Sequence, residues 1–233
     1  MSWWDPALLL NLSHSYRVTI FDLPGAGYSG SDADGVPTVE QFSDVTAGLI
    51  DALGLSHPIV LGWGMGGEVA LALAARHPGL ASMLVLADTS AGGAQGTRPS
   101  PAVTAAFADP STTTSALANY LFPPGALAAL RSWSELTGLE SPDDIVAAAV
   151  TTEAAAQTSW WRAGLATAQA AQMSIPVLVV QGSADQLFPS RNELSLIQLL
   201  PAARQITYPA AGYAAIFEED TQFVQALRAF TGS

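Results

Sequence analysis

Apolar residues gather in four short runs along the chain: residues 17–22 (R-V-T-I-F-D), 58–62 (P-I-V-L-G), 82–87 (S-M-L-V-L-A) and 176–181 (P-V-L-V-V-Q). Each gives way to Gly, Asp or Ser, and a weaker run, 204–208 (R-Q-I-T-Y), follows. Runs that do not alternate with polar positions belong to strands buried on both faces. They predict a mostly parallel sheet covered by helices on both sides. Helical spacing occupies residues 39–53, 66–76, 191–199 and 221–230. In the last of these, Phe223, Val224, Leu227 and Phe230 share a face, and Asp220 or Thr221 is placed to cap the start.

The middle of the chain has a different texture. Residues 92–173 are rich in Ala, Ser, Thr and Pro and carry no strand signal. Helices are predicted at 126–136, 143–156 and 160–172, the second opening on Ser141-Pro142-Asp143-Asp144, with proline in the first turn and acids against the helix dipole. The reading is an α/β core built from 1–91 and 174–233, with a helical lid, 92–173, inserted between two strands.

Composition narrows the partners. Eight Lys+Arg against twenty Asp+Glu give a net charge of −12, which repels phosphate backbones and anionic lipid. Nucleic acid and membrane partners are therefore not expected, and no apolar run is long enough to span a bilayer. With no cysteine, disulfides, thiolate metal sites and a cysteine nucleophile are excluded. Residues 1–12 have no basic stretch ahead of their apolar one, so a signal peptide is not expected and the compartment read is the cytoplasm. No cofactor is expected. The histidines His14, His57 and His77 form no cluster with carboxylates at ligand spacing. Gly25-Ala26-Gly27 with Gly30 is a fragment of a dinucleotide fingerprint, with no helix signal behind it.

Chemistry concentrates at L-G-W-G-M-G-G-E-V-A, residues 61–70. A strand runs into a glycine-rich turn and then a helix, the form of a G-x-S-x-G nucleophile elbow. The tip here is Gly64, which has no hydroxyl. Glu68, one turn into the helix, reads as an acid favoured by the helix dipole.

Five ordered motifs then make the chain resemble the α/β-hydrolase superfamily, among its small esterase, peroxidase-like and C–C-hydrolase relatives. Phe21-Asp22-Leu23-Pro24-Gly25-Ala26-Gly27-Tyr28-Ser29 looks like the family's D-x-P-G-x-G-x-S loop, and residues 62–71 like the elbow and its helix. Gln181-Gly182-Ser183-Ala184-Asp185 with Pro189 looks like the loop of the triad acid. Ala211-Gly212-Tyr213-Ala214 before Phe217-Glu218-Glu219 looks like the loop of the triad histidine. Trp4-Asp5-Pro6 and Leu10 look like the helix after the family's third strand.

The resemblance puts the triad at Gly64, Asp185 and Tyr213, so only the acid keeps its expected type. Serine needs an imidazole to take its proton, and tyrosine, with a pKa of about 10, is a poor base near neutrality. The oxyanion donor would be the Met65 N–H, joined by one from the loop after the third strand. That strand would precede Trp3, so the N-terminal strands appear absent from the sheet. A start placed too far downstream, unusual pairing by the N-terminal segment, or a strand from a second chain would each account for this. Trp63, Tyr120, Phe122, Trp133 and Trp160 are expected to line a pocket beneath the lid. The expectation is a non-catalytic hydrolase homologue that binds a small apolar molecule or a partner. The alternatives are a weak ester or carbonyl hydrolase or lyase, and a protein that works through association, a homo-oligomer included.

Overall fold

The computed structural model describes residues 4–26, 29–30, 37–109, 111–112, 114–137 and 144–232. Among these residues a sheet of four strands forms, in the order β1 (Ile59–Trp63), β2 (Met83–Ala87), β3 (Val177–Gly182), β4 (Ala203–Tyr208). Every neighbouring pair is parallel, with Leu61 beside Val85, Val85 beside Leu178, and Leu178 beside Arg204. Alternate residues of the central strands enter different cores, as a two-residue repeat requires. Leu84, Leu86, Val177 and Val179 meet α2 (Val39–Ala52), α3 (Met65–Arg76) and α9 (Arg191–Leu199) on one face. Val85, Leu178 and Val180 meet α1 (Pro6–Ser13), α10 (Ala215–Glu218) and α11 (Asp220–Thr231) on the other. Both faces are covered, which is why β2 and β3 read as unbroken apolar runs.

The helical region lies between β2 and β3. It contains α4 (Pro101–Ala108), α5 (Thr114–Leu121), α6 (Leu127–Thr137), α7 (Asp144–Ala163) and α8 (Thr167–Ala170). It straddles the sheet: Leu121 of α5 and Trp133 of α6 join the core beneath α1 and α11, whereas Ala156 and Trp160 of α7 join the core beneath α3. The predicted helix at 160–172 is not one helix. Helix α7 continues through Trp160, and the chain breaks at Gly164, whose φ of 62° favours glycine. A Cβ on Gly164 would lie 2.5 Å from the carbonyl carbon of Gly92, and one on Gly92 2.5 Å from the Trp160 oxygen. The entry and exit of the insertion thus close on each other backbone to backbone. The predicted start at residues 141–143 lies outside the described residues.

Two more expectations are corrected. Residues 17–22 do not form a strand: the segment has no regular secondary structure, and among the described residues the backbone groups of 17–21 make no backbone hydrogen bond. Its ends are held, Tyr16 against the α1–α11 core and Leu23 against the α2–α3 core, while Val18 and Phe21 are exposed. An apolar run becomes a strand only where a ladder partner stands beside it, and among the described residues β1 is the free edge of the sheet. At α11, Asp220 is the first helical residue and Glu219 occupies the cap position without a side-chain cap, so neither Asp220 nor Thr221 serves as predicted. The capping box of Thr38 and Gln41 on α2, by contrast, is fully formed.

Candidate functional site

Gly64 sits between β1 and α3 at φ 56°, ψ −122°, a backbone state costly for residues with a Cβ. The turn is sharp because glycines permit close approach. A Cβ on Gly62 would lie 2.2 Å from the Gly66 oxygen, and one on Gly67 2.6 Å from the Thr89 side chain. The Gly64 N–H donates to Ala87 O at 3.0 Å, and the Thr89 hydroxyl donates to Gly64 O at 2.6 Å. Met65 opens α3, and its N–H has no hydrogen-bond acceptor among the described residues. The turn is a tight strand-to-helix connection with a glycine at its tip.

Tyr213 reaches this tip from the loop after β4. A Cβ built on Gly64 would lie 1.7 Å from the Tyr213 hydroxyl oxygen, inside the phenol's own volume. The two unusual residues are spatially one feature: the tyrosine fills the space that a side chain at position 64 would need. Its ring is fixed by stacking. Trp63 lies 4.5 Å away between centroids, Phe188 5.7 Å away, and Trp161 stacks on Phe188 at 5.8 Å. Trp63 Nε1 donates to Tyr213 O at 2.6 Å, and Phe217 meets the Trp63 ring edge-on at 4.8 Å. The Arg98 guanidinium lies 5.6 Å above Trp161 at the outer end of this column.

Asp185 lies in the loop after β3, with Oδ1 accepting from Leu187 N at 2.7 Å and Phe188 N at 3.0 Å. The Gln181 amide donates both to Asp185 Oδ2 and to Asp88 Oδ1, each at 3.2 Å. Asp88 follows β2; its Oδ1 also accepts from Gly182 N at 2.8 Å, and its buried Oδ2 has no partner among the described residues. Burial pushes Asp185 up to about 8 and holds Asp88 well above the carboxylate range, the neighbouring Asp185 adding to it. Burial, then Asp185 and Asp88, likewise hold the Tyr213 phenol well above its usual range. Burial thus favours the neutral form of the phenol and of both acids.

The expected pocket residues divide. Gly64, Met65, Trp63, Asp185 and Tyr213 come together. Tyr120 pairs with Phe107 at 6.0 Å, and Phe122 with Trp133 at 5.6 Å, the latter two almost wholly buried in the core. Phe122 adjoins the tyrosine loop, since Ala214 N donates to Leu121 O at 3.0 Å. Trp160 instead points its Nε1 toward Ser90 O at 3.3 Å. The sequence reading did not single out Phe188, Asp88 or Gln181 for the site. An acid directly beyond a strand's carboxyl end was the available signal for Asp88.

The histidines are remote. His77 follows the last residue of α3, a helix about 18 Å long that begins at Met65, and its Nε2 lies 2.8 Å from Asp44 Oδ1, a carboxylate oxygen that accepts. Nearby, a cavity of about 380 Å³ is lined by residues such as Ala74, His77, Gln172 and Ile175, none from the expected site. Among the described residues no three His, Asp or Glu converge as a metal-binding group, and no helix is long and apolar enough to cross a membrane.

Residues 1–220 match the model of the alpha/beta hydrolase fold family. The 2-hydroxymuconate semialdehyde hydrolase of Pseudomonas sp. (strain CF600) is 30% identical over 224 residues, spanning 91% of this chain and 75% of that protein. Other matches are shorter: the enzyme of the same description from Pseudomonas putida is 40% identical over 74 residues, 32% of this chain but 26% of its own length. Among solved structures, the esterase RhEst1 of Rhodococcus sp. ECU1013 superposes with a TM-score of 0.82 at 24% identity, covering 100% of this chain and 86% of that one. A hydrolase from Pseudomonas aeruginosa PA01 superposes with a TM-score of 0.76 at 26% identity, covering 97% and 84%. With the family model spanning nearly the whole chain, the protein belongs to the alpha/beta hydrolase fold family.

Proposed function

We propose that this protein is a non-catalytic member of its family, in which the hydrolytic centre has become an aromatic binding surface. One observation carries the reading: the Tyr213 hydroxyl stands 1.7 Å from where a Cβ on Gly64 would lie. The place of the nucleophile is filled, not merely emptied. No imidazole adjoins it, and a phenol held above its ordinary range is no base at neutral pH. Hydrolysis through an activated serine needs a nucleophile and an imidazole base, and neither stands at these positions. What remains is a column of stacked rings, Trp161, Phe188, Tyr213 and Trp63, which suits a small apolar or aromatic molecule.

Hydrolysis of short p-nitrophenyl esters tests the proposal. The expected rate equals that of buffer, with no labelling by a fluorophosphonate probe. Turnover above buffer that is abolished by Asp185→Ala or Tyr213→Phe would overturn it, and would assign Tyr213 and Asp185 a proton-transfer role in a weak enzyme. Quenching of tryptophan fluorescence on titration with small aromatic molecules, lost in Tyr213→Ala, tests the binding surface.

A further inference from the structure

We propose that Glu68 is a proton-dependent latch that holds helix α7 of the insertion onto the elbow helix α3. Glu68 is completely buried, a rare place for a carboxyl without a cation. Its Oε1 accepts from the Ser90 hydroxyl at 3.1 Å, while Oε2 has no hydrogen-bond partner among the described residues. Ser90 extends the seam: its Oγ accepts from Gly92 N at 3.3 Å, and its carbonyl faces Trp160 Nε1 of α7. The Gln157 side chain of α7 also acts on the carboxyl. Residues 153, 156, 157 and 160 share one helical face, and Ala156 and Trp160 are buried there in the same core as Met65 and Val69.

Burial opposes an anion at Glu68 more strongly than the Ser90 and Gln157 hydrogen bonds favour it. Among the described residues no charged group acts directly on Glu68, whose neighbours are Ser90 and Gln157; Asp88 after β2, Asp185 after β3, Glu153 on α7 and Glu68 itself all act on the Tyr213 phenol. On α2, Asp44 is engaged by Arg76 and His77 at the far end of α3, and Glu40 acts on Arg76 there as well. Of the nearest arginines on the insertion, Arg98 covers Trp161 and Arg162 is exposed on the last turn of α7. Burial raises Glu68 to about 8, so the proton leaves only in mildly alkaline solution. An anion there must gain water, and water enters by parting α7 from α3. The backbone clasp of Gly92, Gly93 and Gly164 lies just beyond Trp160 and serves as the pivot. Leu165 N bonded to Ala91 O at 2.8 Å keeps that end attached.

The latch is independent of whether any ester is cleaved. Hydrogen exchange on the full chain tests it, with amides of residues 153–163 compared at about pH 6 and about pH 9 after correction for intrinsic rates. Wild type is expected to lose protection there about tenfold or more beyond whatever residues 84–87 and 177–181 lose across that interval through the fall in global stability. Glu68→Gln should lose most of that fall, and Glu153→Gln a smaller part of it, since burial also raises Glu153 on the same helix. A pH-independent wild type, or a Glu68→Gln fall equal to wild type, overturns the proposal. Ser90→Ala gives a second reading if Glu68→Gln does not fold. Losing a hydrogen bond that favours the anion must move the opening midpoint to higher pH, and an unmoved midpoint also overturns the latch.

Discussion

At the scale of single residues, Gly64 and Tyr213 occupy one space: a side chain at position 64 would meet the Tyr213 phenol. Reintroducing a serine at 64 alone places its Cβ inside the Tyr213 phenol and a side chain on a backbone at φ 56°. Overpacking and strain of this kind cost about 2–4 kcal/mol together. Gly64→Ser is thus expected to lower stability in urea unfolding and to remain inactive. Tyr213→His alone should also be inactive, for want of a nucleophile. The double change Gly64→Ser with Tyr213→His removes the clash and supplies both missing groups, so it should be more stable than Gly64→Ser and gain ester hydrolysis. Equal stability of the single and double variants would show that the phenol does not hold position 64 closed. The identities of both residues were readable from motif position. Their mutual contact was not, because it depends on how the loop after β4 folds back over the elbow.

At the scale of elements, the chain announced its buried strands but not which of them would find neighbours. Residues 59–63, 83–87 and 177–182 are apolar because both faces are covered, and that pattern is local. Residues 17–22 show the same pattern, yet strand character also needs a partner, which no local pattern encodes. Helix α4 was missed even though Ser100 caps it and Pro101 opens it, a start signal present in the letters. The break at Gly164 was missed for another reason: that glycine is demanded by contact with Gly92, far away in sequence. The free segment yields a prediction. Amides of residues 18–21 make no backbone hydrogen bond and should exchange near intrinsic rates, whereas those of residues 84–87 and 177–181 should be protected by about 10³-fold or more. Dilute-solution exchange measured by mass spectrometry checks this. Protection that grows with protein concentration would instead mark a second chain lying along β1.

At the scale of the whole molecule, the dominant electrostatic property is a set of buried acids held in their neutral form. Burial raises Glu68 and Asp185 to about 8, and Glu153 and Glu218 to about 7, with Asp88 raised as well. In the unfolded chain these groups titrate near 3.8 to 4.5. Between those values the folded state holds more protons than the unfolded one, so stability must fall as pH rises. The favourable contribution is complete below about pH 4 and is lost progressively up to about pH 8. In the opposite sense, the Arg76 guanidinium holds Asp44 below its usual range, stabilising the fold above that range. It is largely exposed, and an exposed pair is worth about 1 kcal/mol or less, so the buried acids prevail. The net charge of −12 adds repulsion in the same direction. The melting temperature should therefore be several degrees higher near pH 5 than near pH 8, by roughly 2–4 °C for each kcal/mol lost. Salt separates the two causes, because about 0.5 M salt screens surface repulsion but not buried carboxyls. The fall should survive in salt and shrink in Glu68→Gln and Glu218→Gln. A melting temperature that rises from pH 5 to pH 8 would mean that the acids are paired or hydrated in solution, and that the centre is more open than its packing indicates.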